Sequence, residues 1–369
     1  MRFPHPMYSG VRVLAVNTGS SSVKLRVLDG DDRLAWSADL GPLDEAELAG
    51  ALTSAGAVDV VGHRVVHGGE RFRAGVVVDD AVEAELDALA PLAPLHNPPA
   101  VAAVRAARRA LAVPHVACFD TAFHATLPDE AAVYAVPAEW RERWGVHRYG
   151  FHGLSHAYAA RRAAALLGRP VEDLRLVTCH LGAGASLCAV AGGRSVDTTM
   201  GFTPLDGLVM ATRSGSVDPG ALLWVQRRAG LRPDELEDAL EHHSGLLGLS
   251  GLSADPRELF AAADAGHAGA ALALGAYLHR LCGQVAAMAT AAGGLDAVVF
   301  TGGVGEHDAR MRAEAVARLA WLGPAVDPER NGAAPGDAVV SPEGHRPAVC
   351  VVAAREDLEI AAECRRALG

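Results

Sequence analysis

Six side chains in this sequence have types and surroundings suited to binding anions or their counter-ions. Arg64 lies in the apolar run Val-Asp-Val-Val-Gly-His-Arg-Val-Val over residues 58–66, just before the loop His67-Gly-Gly-Glu70. A charge in such a run is costly unless paired or functional, so Arg64 is an anion binder or half of a structural ion pair. Arg213 lies in a long glycine-containing stretch and is a second candidate clamp. Asp120 follows the short apolar run 115–119. Strand ends of this kind carry the chemistry of α/β folds, although an aspartate there also serves as a helix cap. His152 stands among glycines just before a helical stretch, where an anion is favoured; packing or capping is the alternative. Glu356 opens the last helix, where it suits the dipole and could hold a cation through water. Lys24 is the only lysine of the chain. A compact ammonium suits phosphate, while a solvated strand face is the plainer reading.

Backbone groups add to this set. Residues 174–190 read as a strand, a glycine turn (Gly182, Ala183, Gly184) and a second strand. The N–H groups of such a turn have no sheet partner and can wrap a phosphate. Asn17-Thr-Gly-Ser-Ser-Ser-Val-Lys24 follows the same plan, and the two turns are expected to face each other across one nucleotide. Thr301-Gly-Gly-Val-Gly-Glu306 is a third strand-to-glycine turn. It carries more glycine than a plain turn needs, which suits adenosine or phosphate.

The elements that would position these groups alternate strand and helix. Strands are expected over 11–28 (a hairpin), 33–40, 58–66, 115–119, 174–190 (a hairpin), 296–300 and 348–353. Helices are expected over part of 41–57 and over 82–92, 99–111, 157–167 (capped by Ser155), 220–243, 256–265 (capped by Ser253 or Asp255), 268–292, 309–320 and 358–367. Residues 192–219 read as one long functional loop, and 245–253 as a small apolar loop.

The bulk numbers bound the answer. The 369 residues are enough for two domains at roughly 100–200 residues each. The net charge of −11, without a basic block, argues against nucleic acid and anionic membrane as partners. The six cysteines are scattered without a CxxC pair and read as reduced and buried in a cytoplasmic protein. Residues 1–10 lack the apolar core of a leader, and the apolar stretch 268–292 carries His279, Arg280 and Gln284, so it reads as a core helix. There is no P-loop motif and no protein-kinase signature set. His242 and His243 are adjacent, a poor spacing for zinc.

Eight segments, in order, resemble the acetate kinase (acetokinase) family of the sugar kinase, heat-shock ATPase and actin superfamily. They are Val16–Lys24, Gly62–Gly69, Leu95–Asn97, Phe119–His124, Arg148–Gly153, Cys179–Ser186, Asp197–Pro219 and Phe300–Glu306. The resemblance implies an α/β fold of two duplicated ribonuclease H-like (actin-like ATPase) domains with a nucleotide cleft between them. The expected division is 1–125 plus 357–369 for the first domain and 126–356 for the second. It implies a cytoplasmic homodimer that is an ATP:carboxylate phosphotransferase, moving a phosphoryl group reversibly from ATP to acetate with Mg²⁺ or Mn²⁺. The resemblance assigns Arg64 and Arg213 to the carboxylate and phosphoryl, His152 to the phosphoryl in flight, and Asp120 and Glu356 to the metal and its waters. Asn17 would touch phosphate and metal, and Lys24 would join the phosphate-binding set. His180 would support the phosphate loop of Gly182, Ala183 and Gly184. Val66, Leu95, Phe151 and Pro204 would line the methyl pocket, with His96 nearby. Asp255 and Arg257 would lie by the adenosine, over Gly302, Gly303 and Gly305.

Acetate is ionised at neutral pH, so its oxygen needs no base, and Asp120 reads as an orienting or metal-linked group. Four features depart from the family pattern: Ala183 for the usual asparagine, Pro256 where an aromatic is common, His307 for asparagine, and a short 28–58 segment. The competing readings are a propionate or butyrate kinase and, in a different class, an actin- or heat-shock-type ATP-binding module without acyl transfer.

Overall fold

The computed structural model describes residues 10–19, 22–334 and 336–369. The leader reading of residues 1–9 and the positions Ser20 and Ser21 of the first turn lie outside the described residues. In chain order the elements are β1 (Val13–Thr18), β2 (Val23–Leu28), β3 (Leu34–Leu40), α1 (Glu45–Ser54), β4 (Val60–Val65), β5 (Val76–Val77), α2 (Asp80–Ala88), α3 (Asn97–Ala110), β6 (His115–Phe119), α4 (Asp129–Ala132), α5 (Ala138–Trp144) and α6 (Gly153–Leu167). There follow β7 (Arg175–Leu181), β8 (Ala185–Ala191), β9 (Arg194–Thr198), α7 (Pro219–Ala229), α8 (Pro233–His242), α9 (Gly245–Ser250), α10 (Pro256–Asp264), α11 (Ala268–Ala291), β10 (Ala297–Thr301), α12 (Gly302–His307), α13 (Ala309–Arg318), α14 (Pro328–Ala333), β11 (Ala338–Val339), β12 (Ala348–Val351) and α15 (Glu356–Ala367).

The chain divides into two units. The first comprises Met1–Ala125, Phe151–Tyr158 and Arg355–Gly369; the second comprises Thr126–Gly150 and Ala159–Ala354. Phe151–Tyr158 and Arg355–Glu356 therefore sit with the first unit, although the sequence reading grouped them with the second.

Each unit holds a six-stranded mixed sheet. The first runs β3-β2-β1-β4-β6-β5 and the second β11-β12-β10-β7-β8-β9. Read from its other edge, the second repeats the first: an antiparallel meander, two further parallel strands, and a short antiparallel edge strand. The central strands β1 and β4 are buried on both faces because helices cover both. On one side Leu14, Val16 and Val61 meet Leu48, Leu52 and Ala103 of α1 and α3. On the other, Val13, Ala15 and Val60 meet Ile360, Ala361 and Cys364 of α15.

Five local expectations need correction. Residues 245–250 form α9 and not a loop; Ser244 and the left-handed Gly251 bracket it as an N-cap position and a C-cap. Residues 192–219 are not wholly loop, because Gly192-Gly193 makes a tight turn with both φ positive and returns the chain as β9. The glycines of 302–305 coil into α12. Ser155 does not cap α6, which begins two residues earlier at Gly153. The expected 220–243 helix is interrupted by the left-handed Gly230 and becomes α7 and α8. No helix among the described residues is long and apolar enough to cross a membrane.

Candidate functional site

In the first unit the C-terminal ends of β1, β4 and β6 lie side by side. This edge brings together Asn17, Arg64 and Asp120, and α15 adds Glu356 as its first residue. Arg64 grips Asp120 with two nitrogens, Nε donating to Oδ1 at 3.0 Å and Nη2 to Oδ2 at 2.6 Å. Its Nη1 donates to Asn17 Oδ1 at 3.1 Å and lies 3.7 Å from Glu356 Oε2. Asn17 Nδ2 donates to that same Glu356 oxygen at 2.6 Å. Both alternatives for Arg64 thus meet in one residue: it is ion-paired, and the pair stands at a strand edge suited to chemistry. Asp120 spends both carboxylate oxygens on Arg64.

Burial sets the electrostatics. Asp120 is 1% exposed, and burial pushes its carboxyl pKa up; Arg64 pulls it down, Glu356 pushes it further up, and a backbone hydrogen bond from His152 lowers it. Burial also works against the Arg64 charge, but Asp120 and Glu356 outweigh it and the guanidinium pKa rises. The guanidinium stays charged and faces two carboxylates through one fixed plane.

His152 has φ of +57°, a left-handed conformation that is uncommon for a side-chain-bearing residue. The next residue explains the tight fit. Gly153 N donates to the Asp120 carbonyl at 2.9 Å, and a Cβ on Gly153 would lie 2.0 Å from that oxygen. The two apolar candidates Val66 and Phe151 are buried in this unit, whereas Leu95 is 53% exposed. His96 precedes α3 at its N-cap position without capping it through its side chain. Lys24 is exposed on β2, across from Asn17 and Asp39 in the strand register.

The second unit contains a cavity of about 470 Å³. Gly182, Ala183, Asp255, Arg257 and Gly303, all named from the sequence, line it. Gly184 and Gly302 flank its walls in the chain, and Gly305 sits buried in α12. The turn after β7 closes with Gly182 N donating to Gly184 O at 3.0 Å, and Ala183 stands exposed. The His180 ring lies on the Gly182 side of that turn. Asp255 caps α10 by accepting from Arg257 N at 2.9 Å and pairs with the Arg257 guanidinium at 2.6 Å. Its carboxyl is held below the usual range by that arginine. Arg213 also belongs to this unit and pairs with Glu241 of α8 at 2.6 Å, a partner the sequence reading missed. Pro204 lies half-buried in the same unit.

Other residues in this unit escaped sequence reasoning. Arg312, 2% exposed, donates to the carbonyls of Gly305, Glu306 and Asn331 and fixes the end of α12. Tyr277 and Asp308 line the cavity. Tyr277 was hidden in an apolar helix; Asp308, just before α13, carried a capping signal.

The acetokinase family model matches residues 42–362 of the chain. An acetate kinase of Deinococcus radiodurans is 49% identical over 383 residues, spanning 95% of this chain and 96% of its own. The crystal structure of Porphyromonas gingivalis acetate kinase superposes with a TM-score of 0.90 at 34% identity, over 98% of this chain and 100% of that one. A propionate kinase from Francisella tularensis gives 0.88 at 33% identity, over 96% and 99%. With the duplicated sheets and the charged strand edge already described, a match of this length leaves one assignment: the chain belongs to the acetokinase family.

Proposed function

We propose that the chain transfers a phosphoryl group between ATP and acetate, directly and reversibly, giving acetyl phosphate and ADP. The observation that carries this reading is the Arg64–Asp120 pair. Two guanidinium nitrogens are anchored on a buried carboxylate, and Nη1 is turned to Asn17. An arginine so held presents fixed positive charge to a carboxylate and a phosphoryl group that otherwise repel each other. Asp120 has both oxygens on Arg64, so it orients the arginine and is not a base. His152, locked in place beside Asp120, is assigned to a hydrogen bond with the transferring phosphoryl, and Arg213 to a second cationic contact. Val66, Leu95, Phe151 and Pro204 are assigned to the acyl methyl.

In the second unit the cavity takes the adenosine, with Asp255, Arg257 and the glycines of α12, and the turn 182–184 takes phosphate through its N–H groups. His180 supports that turn, and Lys24 is assigned a phosphate contact. The family's divalent cation fits the donors present. Asn17 and Glu356 offer only oxygen toward a hard cation, and Mg²⁺ typically keeps several waters and uses one or two carboxylates. Among the described residues no three His, Cys, Asp or Glu groups form a metal cage, which suits such sparse ligation. Mg²⁺ or Mn²⁺ bound there would offset charge on the transferring phosphoryl. We place the enzyme in the cytoplasm, in keeping with its six free cysteines.

We also assign a homodimer. α7 has no buried residue although it carries Leu222, Leu223, Trp224 and Val225, and Trp224 is 65% exposed. Short helices gain most of their stability from packing. α7 also carries Arg227 and Arg228, and α8 carries Asp234, Glu237 and Asp238, opposite charges that a two-fold contact can pair between protomers.

The test is an acyl hydroxamate assay with ATP, Mg²⁺, hydroxylamine and the C1–C4 acids. Acetate should give hydroxamate. The Francisella similarity makes propionate the natural competitor, and faster turnover of propionate would reassign the acyl substrate. ATP binding without hydroxamate from any acid would turn the reading to a non-transferring ATP module.

A further inference from the structure

Residues 199–218, all among the described residues, form neither helix nor strand between β9 and α7. They nevertheless carry Pro204 and Arg213, and a segment of this length needs bonds from outside to hold one shape. Its second half is held from α8, where Glu241 pairs with Arg213 and the Glu241 carbonyl accepts from Thr212 Oγ1 at 2.8 Å. Its first half is held from the chain on either side of α5. There a single antiparallel bridge joins Val133 to His147, and Arg148 N donates to the Ala132 carbonyl at 2.7 Å. This pairing sets Tyr134 and Arg148 side by side, with the guanidinium carbon 5.5 Å from the centre of the Tyr134 ring.

Both side chains reach the loop. The Tyr134 hydroxyl oxygen accepts from Phe202 N at 2.8 Å. Arg148 Nη1 donates to the carbonyls of Thr199 at 3.1 Å and Met200 at 2.9 Å, and it lies 3.6 Å from Asp206 Oδ2. The other Asp206 oxygen ties the loop to itself, accepting from Gly207 N at 2.9 Å and from Ser216 Oγ, just beyond Arg213, at 2.6 Å. Gly201 shows how closely these groups converge. A Cβ there would lie 2.2 Å from the Tyr134 hydroxyl oxygen and 2.6 Å from Asp206 Oδ2, so the glycine is needed for space. On the reading that Pro204 meets the acyl methyl and Arg213 a reacting anion, we propose that Tyr134 is a positioning residue. With Arg148 and Asp206 it fixes residues 199–216 in the shape that presents both groups to the carboxylate substrate.

A loop ordered in advance adds no ordering cost when acetate binds, whereas one ordered in only a fraction of molecules weakens binding by that fraction. Tyr134→Phe keeps the ring beside Arg148 and removes the acceptor of Phe202 N. KM for acetate should rise roughly three- to tenfold, the scale of one lost hydrogen bond, while KM for ATP stays within about twofold of the wild type. Asp206→Ala should act in the same direction. Asp206→Asn, whose oxygen can still accept from Gly207 N and Ser216 Oγ, should recover most of that loss. Hydrogen exchange gives a readout that needs no turnover: amides of 199–216 should exchange faster in Tyr134→Phe, and those of α11 should not change. A brace that serves stability alone would lower the urea midpoint and leave both KM values in place, and that result overturns the inference. So does exchange over 199–216 equal to that of the wild type. Pro204→Ala separates the two levels. If it leaves KM for acetate unmoved, the assignment of this loop to the acyl substrate falls; if it raises KM for acetate while Tyr134→Phe does not, the positioning role alone falls.

Discussion

Arg64 and Asp120 concentrate the chemistry assigned to the first unit. Arg64→Ala should lower kcat by roughly 10²-fold or more, the scale of a lost electrostatic contact in a reaction site. Near-normal turnover would remove Arg64 from the chemistry. Asp120→Ala should cost stability as well as rate. It leaves a partly buried arginine without its main partner, a loss of about 3–5 kcal/mol in comparable pairs, readable as a drop in the urea midpoint. A different titration belongs to His63 and His115. His115 Nε2 meets the Leu111 carbonyl at 3.1 Å and must donate, so its Nδ1 accepts from His63 Nε2 at 3.0 Å. Burial lowers the pKa of both rings. The unfolded chain then binds more protons below about pH 6.5, and stability should fall as pH drops through that value, by up to about 1.4 kcal/mol per pH unit for each ring. Denaturation midpoints at pH 7.5 and 5.5 measure this, and His63→Gln should flatten the slope. The sequence showed Arg64, Asp120 and Asn17 as candidates because charge in or beside apolar strands is rare. It could not show that Glu241 holds Arg213, since that pairing depends on how α8 folds back.

At the scale of elements, the candidate groups of the first unit sit where parallel strands end, and the second unit repeats the pattern at the ends of β7 and β10. The hairpin turn after β7 carries Ala183 where the resemblance expects an asparagine, and its backbone N–H groups do not depend on that side chain. Ala183→Asn should lower KM for ATP; a restored hydrogen bond to a charged phosphate is worth about 1.5–3 kcal/mol at most, and an unchanged KM would mean the backbone already suffices. Strands and long helices were legible from periodicity. The elements that were missed, α9 and β9, are short, and their signals lay in flanking turns. Gly192-Gly193 announces a hairpin, and Ser244 with Gly251 brackets a helix. The left-handed Gly230 likewise divides a stretch whose composition is helical throughout.

At the scale of the molecule, the repeated sheet order explains why one sequence carries two similar turn-and-strand patterns so far apart. Composition alone showed none of this duplication; it became visible only through ordered motifs. The exposed face of α7 bears on assembly. Trp224→Asp should convert a dimer to a monomer in sedimentation or light scattering, and a wild-type monomer would refute the assigned assembly. The central claim is phosphoryl transfer to a carboxylate oxygen through Arg64. It is tested most directly by ³¹P NMR of wild type and Arg64→Ala incubated with ATP, Mg²⁺ and acetate. The account predicts an acetyl phosphate signal with the wild type and its loss with the variant. ATP turnover without acetyl phosphate, or equal signals from both proteins, would contradict it.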